Sequence, residues 1–435
     1  MKNILIIGNG VSGITAARHL RKLGDDKITV ISKETDHFFS RTALMYIYMG
    51  HMKYEHTKPY EDWFWKKNNI SLMRAEVSDI DFDLKRVKLN GKKFKDSAFK
   101  TNLTELSYDI LILATGSASN KFGWPGQDLN QVHGMYSFQD LEQLEKASPF
   151  LKRGVIVGGG LIGIELAEMM HSRHKEVTML VREPSYWNNV LPPEESEMVN
   201  QQIIMNHIDL RLGTELKEIL SDDNNNARAV VTGDGEEISC QFVGLTAGVH
   251  PNVKWLKDSE LAINRGILVD EYLRTNKPDV YAIGDCVELQ NPPKGRRAIE
   301  PIWYVGRIMG ETLAHTIARS PIKYNPGHWF NSAKFLDLEY QVYGNVPANI
   351  VSPLSSYFWK SEDGLKSLRL VYEIATNHVV GVNLMGLRFR QEICEEWFDN
   401  HFTLEEVVKD LDRAHFDPEF YKKYYKEIET HLAHN

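Results

Sequence analysis

The strongest constraint on the fold is a glycine-rich turn that follows the first hydrophobic run. The stretch ILIIGNGVSGITAARHL (4–20) predicts a buried strand, a tight turn and a helix. Gly8 would make the turn, Gly10 would let the backbone approach a pyrophosphate, and Gly13 would let helix and strand pack closely. Glu34 ends the next predicted strand about 20 residues after Gly13, where a ribose-binding carboxylate is expected. The pattern predicts a dinucleotide with its phosphates at a helix N-terminus.

The same strand, turn and helix pattern recurs about 150 residues later. The segment RGVIVGGGLIGIELAEMM (153–170) contains Gly158, Gly160 and Gly163 at the same spacing. One such turn is a weak signal, because glycines are common before helices. Two complete units predict two bound dinucleotides and an α/β fold with two Rossmann-like domains.

The residues that would select NADH or NADPH follow the strand of the second unit. A carboxylate at that strand end binds the ribose of NADH, whereas an arginine accommodates the 2′-phosphate of NADPH. Here Val181 takes the usual acidic position, and Arg182 and Glu183 come next. Both Arg182 and Glu183 are predicted to bind the nucleotide. Arg182 favours NADPH slightly, Glu183 could still reach a ribose, and the choice stays open.

Three further glycine turns fit the same scheme. The strand YDILILATGSAS (108–119) ends at Thr115 and Gly116, and the strand DVYAIGDCVE (279–288) ends at Gly284 and Asp285. An aspartate at a strand's carboxyl end can accept a hydrogen bond from a ligand hydroxyl, although Asp285 could instead cap a helix or a turn. The segment VGLTAGVHPNV (243–253), with Gly248, resembles the first of these turns. All five residues are predicted to line the cofactor sites.

Bulk composition excludes several classes of function. The chain has 435 residues and a net charge of −8 with both signs mixed, so no broad basic surface is available for nucleic acid. No apolar run approaches the roughly 18 residues of a transmembrane helix, and the chain enters a strand at once, which predicts no cleavable signal. Cys240, Cys286 and Cys394 lie far apart, which is typical of a reducing, cytoplasmic compartment. No metal site is predicted.

These motifs in this order resemble the FAD-dependent pyridine nucleotide-disulfide oxidoreductase superfamily over about residues 1–320. The resemblance implies FAD and NAD(P)H as cofactors, and an FAD domain split by an inserted NAD(P)H domain. The segments 329–346 and 368–386 are similar to the C-terminal α+β interface domain of that superfamily. We therefore predict an FAD domain, an NAD(P)H domain, a second part of the FAD domain and an interface domain, at residues 1–117, 118–247, 248–322 and 323–435.

The stretch FFSRTALMYIYMG (38–50) carries a redox cysteine in the disulfide-reducing branches of the superfamily, and this chain has none there. Laid against coenzyme A disulfide reductases, that cysteine falls on Thr42, and a threonine cannot form a mixed disulfide. Laid against ferredoxin reductases and the flavin domain of NAD(P)H nitrite reductases, Arg41 matches a flavin-contacting arginine. The resemblance therefore implies electron transfer without a thiol relay.

Two residues are predicted to be catalytic from the same resemblance. Ferredoxin reductases carry a lysine near the flavin that pairs with a glutamate of the second nucleotide helix. Glu165 matches that glutamate, but the lysine is absent and Tyr46 lies in its region. Trp303 lies in the segment 298–320, which is predicted to begin a long helix and whose position in the family implies a place near the flavin ring, with core packing as the alternative.

The predicted reaction is hydride transfer from NAD(P)H to flavin, followed by electron transfer to an acceptor, for which a small redox protein is favoured. Two alternatives stay open. The aromatic segments 58–69 and 415–432 could lie on a membrane and reach quinone, as in type II NADH dehydrogenases, or pack on the protein or on a second subunit of a homodimer. The chain could also act as a nicotinamide-responsive interaction protein, since its architecture resembles that of apoptosis-inducing factor.

Overall fold

The structure is a computed structural model, and it describes residues 1–91, 94, 97–99, 101–416 and 422–434. Strands and helices alternate over much of the chain, in keeping with the sequence pattern. The strands are β1 Asn3–Ile7, β2 Lys27–Ser32, β3 Ile70–Arg74, β4 Val77–Asp81, β5 Arg86–Leu89, β6 Glu105–Ser107, β7 Ile110–Leu113, β8 Ser117–Ser119, β9 Val132–His133, β10 Arg153–Val157, β11 Glu176–Val181, β12 Asp209–Leu212, β13 Leu216–Ser221, β14 Ala227–Thr232, β15 Glu237–Ser239, β16 Phe242–Leu245, β17 Val249–Pro251, β18 Ile267–Val269, β19 Val280–Ala282, β20 Val287–Leu289, β21 Phe330–Phe335, β22 Leu338–Gly344, β23 Leu354–Lys360, β24 Ser367–Glu373 and β25 Val379–Met385.

The helices fall between these strands and at the C-terminal end of the described chain. They are α1 Val11–Leu23, α2 Leu44–Tyr48, α3 Asp62–Lys67, α4 Phe138–Ala147, α5 Leu161–Ser172, α6 Pro193–Met205, α7 Trp303–Ile317, α8 Gln391–Asp399, α9 Leu404–Ala414 and α10 Tyr425–His434. Within the described ranges, none of these helices is both long enough and apolar enough to span a bilayer.

The chain divides into two compact units, and the first comprises residues 1–120, 134–148 and 248–326. Its main sheet is parallel, in the order β19-β7-β1-β2-β3. Strands buried on both faces need continuous apolar runs, which explains the sequence ILII of β1 and ILIL of β7. Helices α1 and α7 pack against each other, and Gly310 permits this, because a Cβ there would lie 2.5 Å from the Ser12 carbonyl oxygen.

The second unit comprises residues 121–133, 149–247 and 327–435. It contains a second parallel sheet, in the order β12-β11-β10-β16-β9, and the antiparallel meander β13-β14-β15. Its C-terminal part is an antiparallel sheet, β21-β22-β25-β24-β23, with helices α8, α9 and α10 packed on its core. The predicted α/β fold class, with two dinucleotide-binding sheets and a C-terminal α+β part, is confirmed.

The unit boundaries differ in one respect from the four predicted domains. Residues 134–148, which the prediction assigns to the inserted domain, pack with the first unit. The helix α4 in this segment has an N-terminal capping box between Ser137 and Asp140. The limits 1–117, 118–247, 248–322 and 323–435 remain a prediction.

The two aromatic segments are partly buried where they are described. Trp65 is buried in the core of the first unit, while Trp63 is exposed beside Lys67. In the C-terminal segment, Tyr424 packs against Trp359 of the antiparallel sheet. Residues 417–421 lie outside the described part of the chain.

Candidate functional site

The first glycine loop joins β1 to α1 and is too crowded for other residues at two positions. Gly8 has φ +115°, and a Cβ there would lie 2.0 Å from the Ala114 carbonyl oxygen. A Cβ on Gly13 would lie 2.2 Å from the Gly8 carbonyl oxygen. Both glycines are therefore required for β1, α1 and β7 to approach one another.

Gly10 differs, because its surroundings are open. It is the N-cap of α1 without a side-chain capping bond, and no atom lies within 4 Å of the position of a Cβ. The N-terminus of α1, which is the positive end of the helix, therefore has room for a ligand beside Gly10. This arrangement fits the pyrophosphate of a dinucleotide.

Glu34 and Arg41 form an ion pair at the end of β2. Arg41 Nη1 donates to Glu34 Oε1 at 2.8 Å, and Nη2 donates to Oε2 at 2.6 Å. The backbone N–H of Phe138 also donates to Glu34 Oε1, at 2.9 Å. Burial opposes ionisation, but these hydrogen bonds lower the pKa of Glu34 and raise the pKa of Arg41. The predicted ribose and pyrophosphate contacts of these two residues remain predictions.

Tyr136 completes this cluster and was not predicted from the sequence. Its carbonyl oxygen accepts a bond from Arg41 Nη1 at 2.5 Å, and its ring lies 4.6 Å from the guanidinium carbon. Its hydroxyl accepts a bond from the backbone N–H of Ser117 at 3.0 Å. Burial, and then the nearby Asp285, raise the pKa of Tyr136. The neighbouring Ser137 and Asp140 match a helix-capping pattern, but that pattern concerns α4 and does not point to Tyr136.

The predicted turns at Gly116 and Gly284 come together through Ser117. Gly116 has φ +69° and Gly284 has φ +77°, and a Cβ on Gly284 would lie 2.4 Å from Ser12 Oγ. Ser117 Oγ donates to Asp285 Oδ2 at 3.0 Å, and burial raises the pKa of Asp285 against the effect of this bond. The aspartate therefore lies at the carboxyl end of β19, as the sequence predicts.

The remaining predicted residues of the first unit lie in separate elements. Thr115 Oγ1 donates to the Asn252 carbonyl oxygen at 3.1 Å, and the Gly248 carbonyl oxygen accepts from the Asn120 N–H at 3.0 Å. Tyr46 lies in α2, and its ring stacks on His51 with the centroids 6.1 Å apart. Trp303 is the first residue of α7 and is 37% exposed. A cofactor role for each of these residues is a prediction.

The second glycine loop repeats the geometry of the first. Gly158 has φ +123°, and a Cβ there would lie 2.6 Å from the Thr246 carbonyl oxygen. A Cβ on Gly163 would lie 2.7 Å from the Gly158 carbonyl oxygen. Gly160 is the N-cap of α5, with no side-chain capping bond and no atom within 4 Å of a Cβ. The loop therefore fits a second pyrophosphate.

Tyr186 holds this second loop and was also missed by the sequence analysis. The side chain is fully buried, and its hydroxyl donates to the Gly160 carbonyl oxygen at 2.8 Å. Its backbone N–H donates to Asn200 Oδ1 at 2.9 Å, and its carbonyl oxygen accepts from Ser196 Oγ at 2.6 Å. A single aromatic residue in a loop gives no sequence signal for such a contact.

Glu165 lies in α5, close behind the open N-terminus of that helix. Burial, and then the charge of Glu168, raise the pKa of Glu165 to about 7. Glu168 itself is paired, because its Oε1 lies 2.9 Å from Lys334 Nζ. Glu165 can therefore gain or lose a proton near neutral pH.

Arg182 and Glu183 follow β11 and pair with each other. Arg182 Nη2 lies 2.8 Å from Glu183 Oε1, and the arginine side chain is 72% exposed. The preceding Val181 is fully buried, with its side chain 2.8 Å from the position of a Cβ on Gly159. A cation and a carboxylate thus share the position that would select between NADH and NADPH.

All three cysteines are buried and none is bonded to another. Burial raises the pKa of Cys240 to about 12, and it also raises the pKa of the Cys286 and Cys394 thiols. Thr42 lies in a short 3₁₀ helix, where its hydroxyl is 3.1 Å from Ser40 Oγ. The described chain therefore offers no reactive thiolate.

Comparison with known proteins identifies a family whose match includes both glycine loops. Residues 2–309 match the family described as pyridine nucleotide-disulphide oxidoreductase. An NADH oxidase of Methanocaldococcus jannaschii is 30% identical over 348 residues, which cover 77% of this chain and 74% of that protein. A 5,5'-dehydrodivanillate O-demethylase ferredoxin reductase subunit of Sphingobium sp. is 28% identical over 385 residues, which cover 88% and 89%.

A solved structure with the same fold is the ferredoxin reductase for the CYP199A2 system from Rhodopseudomonas palustris. It superposes with a TM-score of 0.78 at 22% sequence identity and covers 88% of this chain and 91% of that one.

Proposed function

Since the chain belongs to the pyridine nucleotide-disulphide oxidoreductase family, we propose that it passes electrons from NAD(P)H through FAD to a small redox protein. The membership confirms the resemblance found in the sequence. It also confirms that the protein is an FAD-dependent NAD(P)H oxidoreductase. The identity of the acceptor is the part that we propose.

The absence of a usable thiol is the observation that carries this proposal. Thr42 stands where disulfide-reducing relatives would place a cysteine, and the three cysteines are buried with raised thiol pKa values. A dithiol relay needs a thiolate that can attack and leave. Electrons must therefore leave the flavin directly. The relative from Sphingobium is named as a ferredoxin reductase subunit, which supports a protein acceptor.

The first unit would hold FAD. In this proposal the first turn of α1 binds the pyrophosphate at Gly10, and Glu34, held by Arg41, binds the adenosine ribose. Asp285 has one carboxylate oxygen on Ser117 and offers the other to a ligand hydroxyl. Bound FAD supplies a ring that accepts hydride from NAD(P)H and can release electrons one at a time.

The second unit would hold NAD(P)H. Gly160 opens the first turn of α5 to the pyrophosphate, and Glu165 would face the nicotinamide. Arg182 and Glu183 would meet the adenosine ribose. Tyr46 of the first unit is proposed to take the place of the family's lysine near the flavin.

Two acceptor molecules that each take one electron balance the two electrons of one hydride. The predicted homodimer and cytoplasmic location are part of the same proposal.

The test is anaerobic reduction of the FAD-loaded protein with NADH and with NADPH, followed by a panel of acceptors. The panel contains a [2Fe–2S] ferredoxin, a rubredoxin, a soluble ubiquinone analogue, glutathione disulfide and oxygen. We expect rapid bleaching of the flavin and turnover on the order of 10 per second or faster with an iron–sulfur or rubredoxin-type protein. Preferred reduction of the quinone or of oxygen would contradict the proposed acceptor.

A thiol control separates direct transfer from a relay. The protein reduced by NAD(P)H is treated with iodoacetamide before the acceptor is added. We expect full activity, because Cys240, Cys286 and Cys394 are buried. Inactivation that parallels the labelling of one cysteine would show that a thiol carries the electrons and would overturn the proposal.

A further inference from the structure

Two carboxylates of α5 lie one helical turn apart. Glu165 and Glu168 are three residues apart, a spacing that places side chains on the same face of a helix. Glu168 is only 9% exposed. A negative charge one helical turn away disfavours the ionisation of a buried carboxyl group, and the pKa of Glu165 is raised first by burial and then by Glu168.

A lysine from the C-terminal part of the second unit neutralises one of these carboxylates. Lys334 lies on β21, which packs against α5, and its Nζ donates to Glu168 Oε1 at 2.9 Å. Lys334 also acts on the pKa of Glu339, which is lowered first by its bond to Arg388. The cation that pairs with Glu168 therefore comes from the C-terminal antiparallel sheet, whereas the second glycine loop follows β10 of the parallel sheet.

The other neighbours of α5 place no cation beside Glu165 in the described residues. Helix α5 also packs on β10 and β11, whose charged residues Arg153 and Glu176 stand at the starts of those strands and pair with each other. Tyr186 lies in the loop after β11, close to Glu165. Burial raises the pKa of the Tyr186 hydroxyl, and the charge of Glu165 raises it further. In the described residues, the pair of Glu168 and Lys334 is thus the charged partner that α5 and β21 place beside Glu165.

We propose that Lys334 is a positioning residue of the nicotinamide site and acts through its bond to Glu168. The pair sets the pH at which Glu165 changes its protonation state, and the affinity for the nucleotide changes at the same pH. The inference rests on the proposed function, in which Glu165 faces the nicotinamide. It assigns to the C-terminal part of the second unit an electrostatic role in nucleotide binding.

The proposal fixes the direction of each change. In Lys334→Met the carboxylate of Glu168 loses its cation, so ionisation of Glu165 becomes less favourable and its midpoint rises, by about half a pH unit or more. In Glu168→Gln the like charge is gone, so the midpoint falls. In the double variant both charges are gone, so the midpoint should lie above that of Glu168→Gln, in which Lys334 stays without its partner, and below that of Lys334→Met.

The measurement is the dissociation constant of a nucleotide that cannot donate hydride, such as tetrahydro-NADH, for the FAD-loaded protein between pH 5.5 and 9. Isothermal titration calorimetry gives this constant without turnover. Lys334→Arg keeps the positive charge and should keep the wild-type midpoint. Lys360→Met, on the exposed end of β23, is the control for loss of a lysine elsewhere in the unit. FAD content and melting temperature report whether each variant is folded.

The outcomes separate this inference from the proposed function. If Glu165→Gln leaves the pH profile of the dissociation constant unchanged, Glu165 does not face the nucleotide and the proposed role of that residue falls. If Glu165→Gln flattens the profile while Lys334→Met and Glu168→Gln both keep the wild-type midpoint, the role of Lys334 is overturned and the proposed function stands. Glu168→Gln keeps the test decisive should Lys334→Met fail to fold.

Discussion

The pKa values of two glutamates, one at each candidate site, are shifted in opposite directions. Glu34 meets the guanidinium of Arg41 and a backbone N–H, and the pKa of its carboxyl is lowered despite burial. Glu165 has no such cation in the described part of the chain, and burial first, then the charge of Glu168, raise its pKa to about 7. Both carboxyl groups are buried, and the cation and the N–H group beside Glu34 outweigh the effect of burial on its pKa, whereas at Glu165 burial acts without such a partner among the described residues.

Loss of Arg41 should weaken FAD binding. In Arg41→Gln the carboxylate of Glu34 loses the two bonds that hold it, so its ionised form is no longer fixed in the ribose-binding geometry. We expect the dissociation constant of FAD to rise about tenfold or more, which corresponds to roughly 1.4 kcal/mol. Flavin absorbance per protein after dialysis measures the effect. Arg86→Gln breaks the exposed pair with Glu105 and should retain FAD. Equal retention in both variants would rule out this role for Arg41.

Glu165 should make stability depend on pH. Its pKa is raised from 4.5 to about 7 on folding. The protonated carboxyl group therefore contributes fully to the free energy of unfolding below pH 4.5, and this contribution is lost as the pH rises through 7. Glu165→Gln stays neutral at every pH. We therefore expect its melting temperature, relative to the wild type, to be a few degrees higher at pH 8.5 than at pH 5.5. Scanning calorimetry at both values measures the difference, and a constant difference would mean that Glu165 is ionised throughout.

At the scale of elements, helices α1 and α5 begin in the same way. Each has a glycine at its N-cap, where a serine or aspartate side chain would otherwise occupy the first N–H groups. Gly10 and Gly160 have negative φ angles, −70° and −116°, and open space where a Cβ would stand. In the proposed function their lack of a side chain leaves room for a ligand, whereas Gly8 and Gly158 are required by the backbone turn.

The two loops should be separable by matched substitutions. Gly10→Ala and Gly160→Ala need no change of backbone conformation, so both proteins should fold, but each added methyl group projects toward a pyrophosphate. We expect Gly10→Ala to lose FAD, and Gly160→Ala to keep FAD but bind tetrahydro-NADH at least tenfold more weakly. Gly24→Ala, at the C-terminal end of α1 with open space around it, is the control.

Calorimetric titration of both ligands into each variant decides this prediction. Loss of FAD from Gly160→Ala, with Gly10→Ala unaffected, would exchange the assignments of the two loops. Equal affinity in both variants and in Gly24→Ala would mean that neither loop holds a pyrophosphate.

At the scale of the whole molecule, the second unit joins a nucleotide-binding sheet to the C-terminal sheet through buried charges. Arg369 of β24 donates from Nε to Glu195 Oε1 at 2.8 Å and from Nη2 to Glu194 Oε2 at 2.6 Å. Glu195 is completely buried in α6, and the Phe358 ring lies 4.5 Å from the guanidinium carbon. The same helix carries Ser196 and Asn200, which hold the Tyr186 backbone. The C-terminal sheet thus supports the second glycine loop.

Removal of this arginine should destabilise the second unit. Arg369→Met leaves the Glu195 carboxylate buried without a cation, which costs roughly 3–5 kcal/mol. The double variant Arg369→Met, Glu195→Gln should recover part of that loss, because no buried charge is then left unpaired and the Glu194 carboxylate is half exposed to water. Urea unfolding followed by tryptophan fluorescence measures both variants, with flavin fluorescence as the report from the first unit. A single variant as stable as the wild type would mean that water reaches Glu195.

The sequence identified the elements that are coded locally. Strand, glycine turn and helix follow from the apolar runs and from the spacing of Gly8, Gly10 and Gly13, because these constraints act within a few residues of one another. The same reasoning located Asp285 at a strand end and Glu165 behind a helix N-terminus. It missed Tyr136 and Tyr186, since an isolated tyrosine in a loop has no periodicity or motif to mark it.

The sequence by itself determined the two units of strand, glycine turn and helix and the lack of a cysteine in residues 38–50, because each is a property of a short stretch of chain. Only the tertiary structure decided that Glu34 meets Arg41 over the Tyr136 ring, that Glu165 titrates near neutral pH, and that Lys334 stands behind Glu168. Tyr136 and Lys334 are distant in sequence from the residues that they contact. The electrostatic effect of nearer residues, such as Arg41 on Glu34, depends on burial, which is a property of the folded chain and not of any segment.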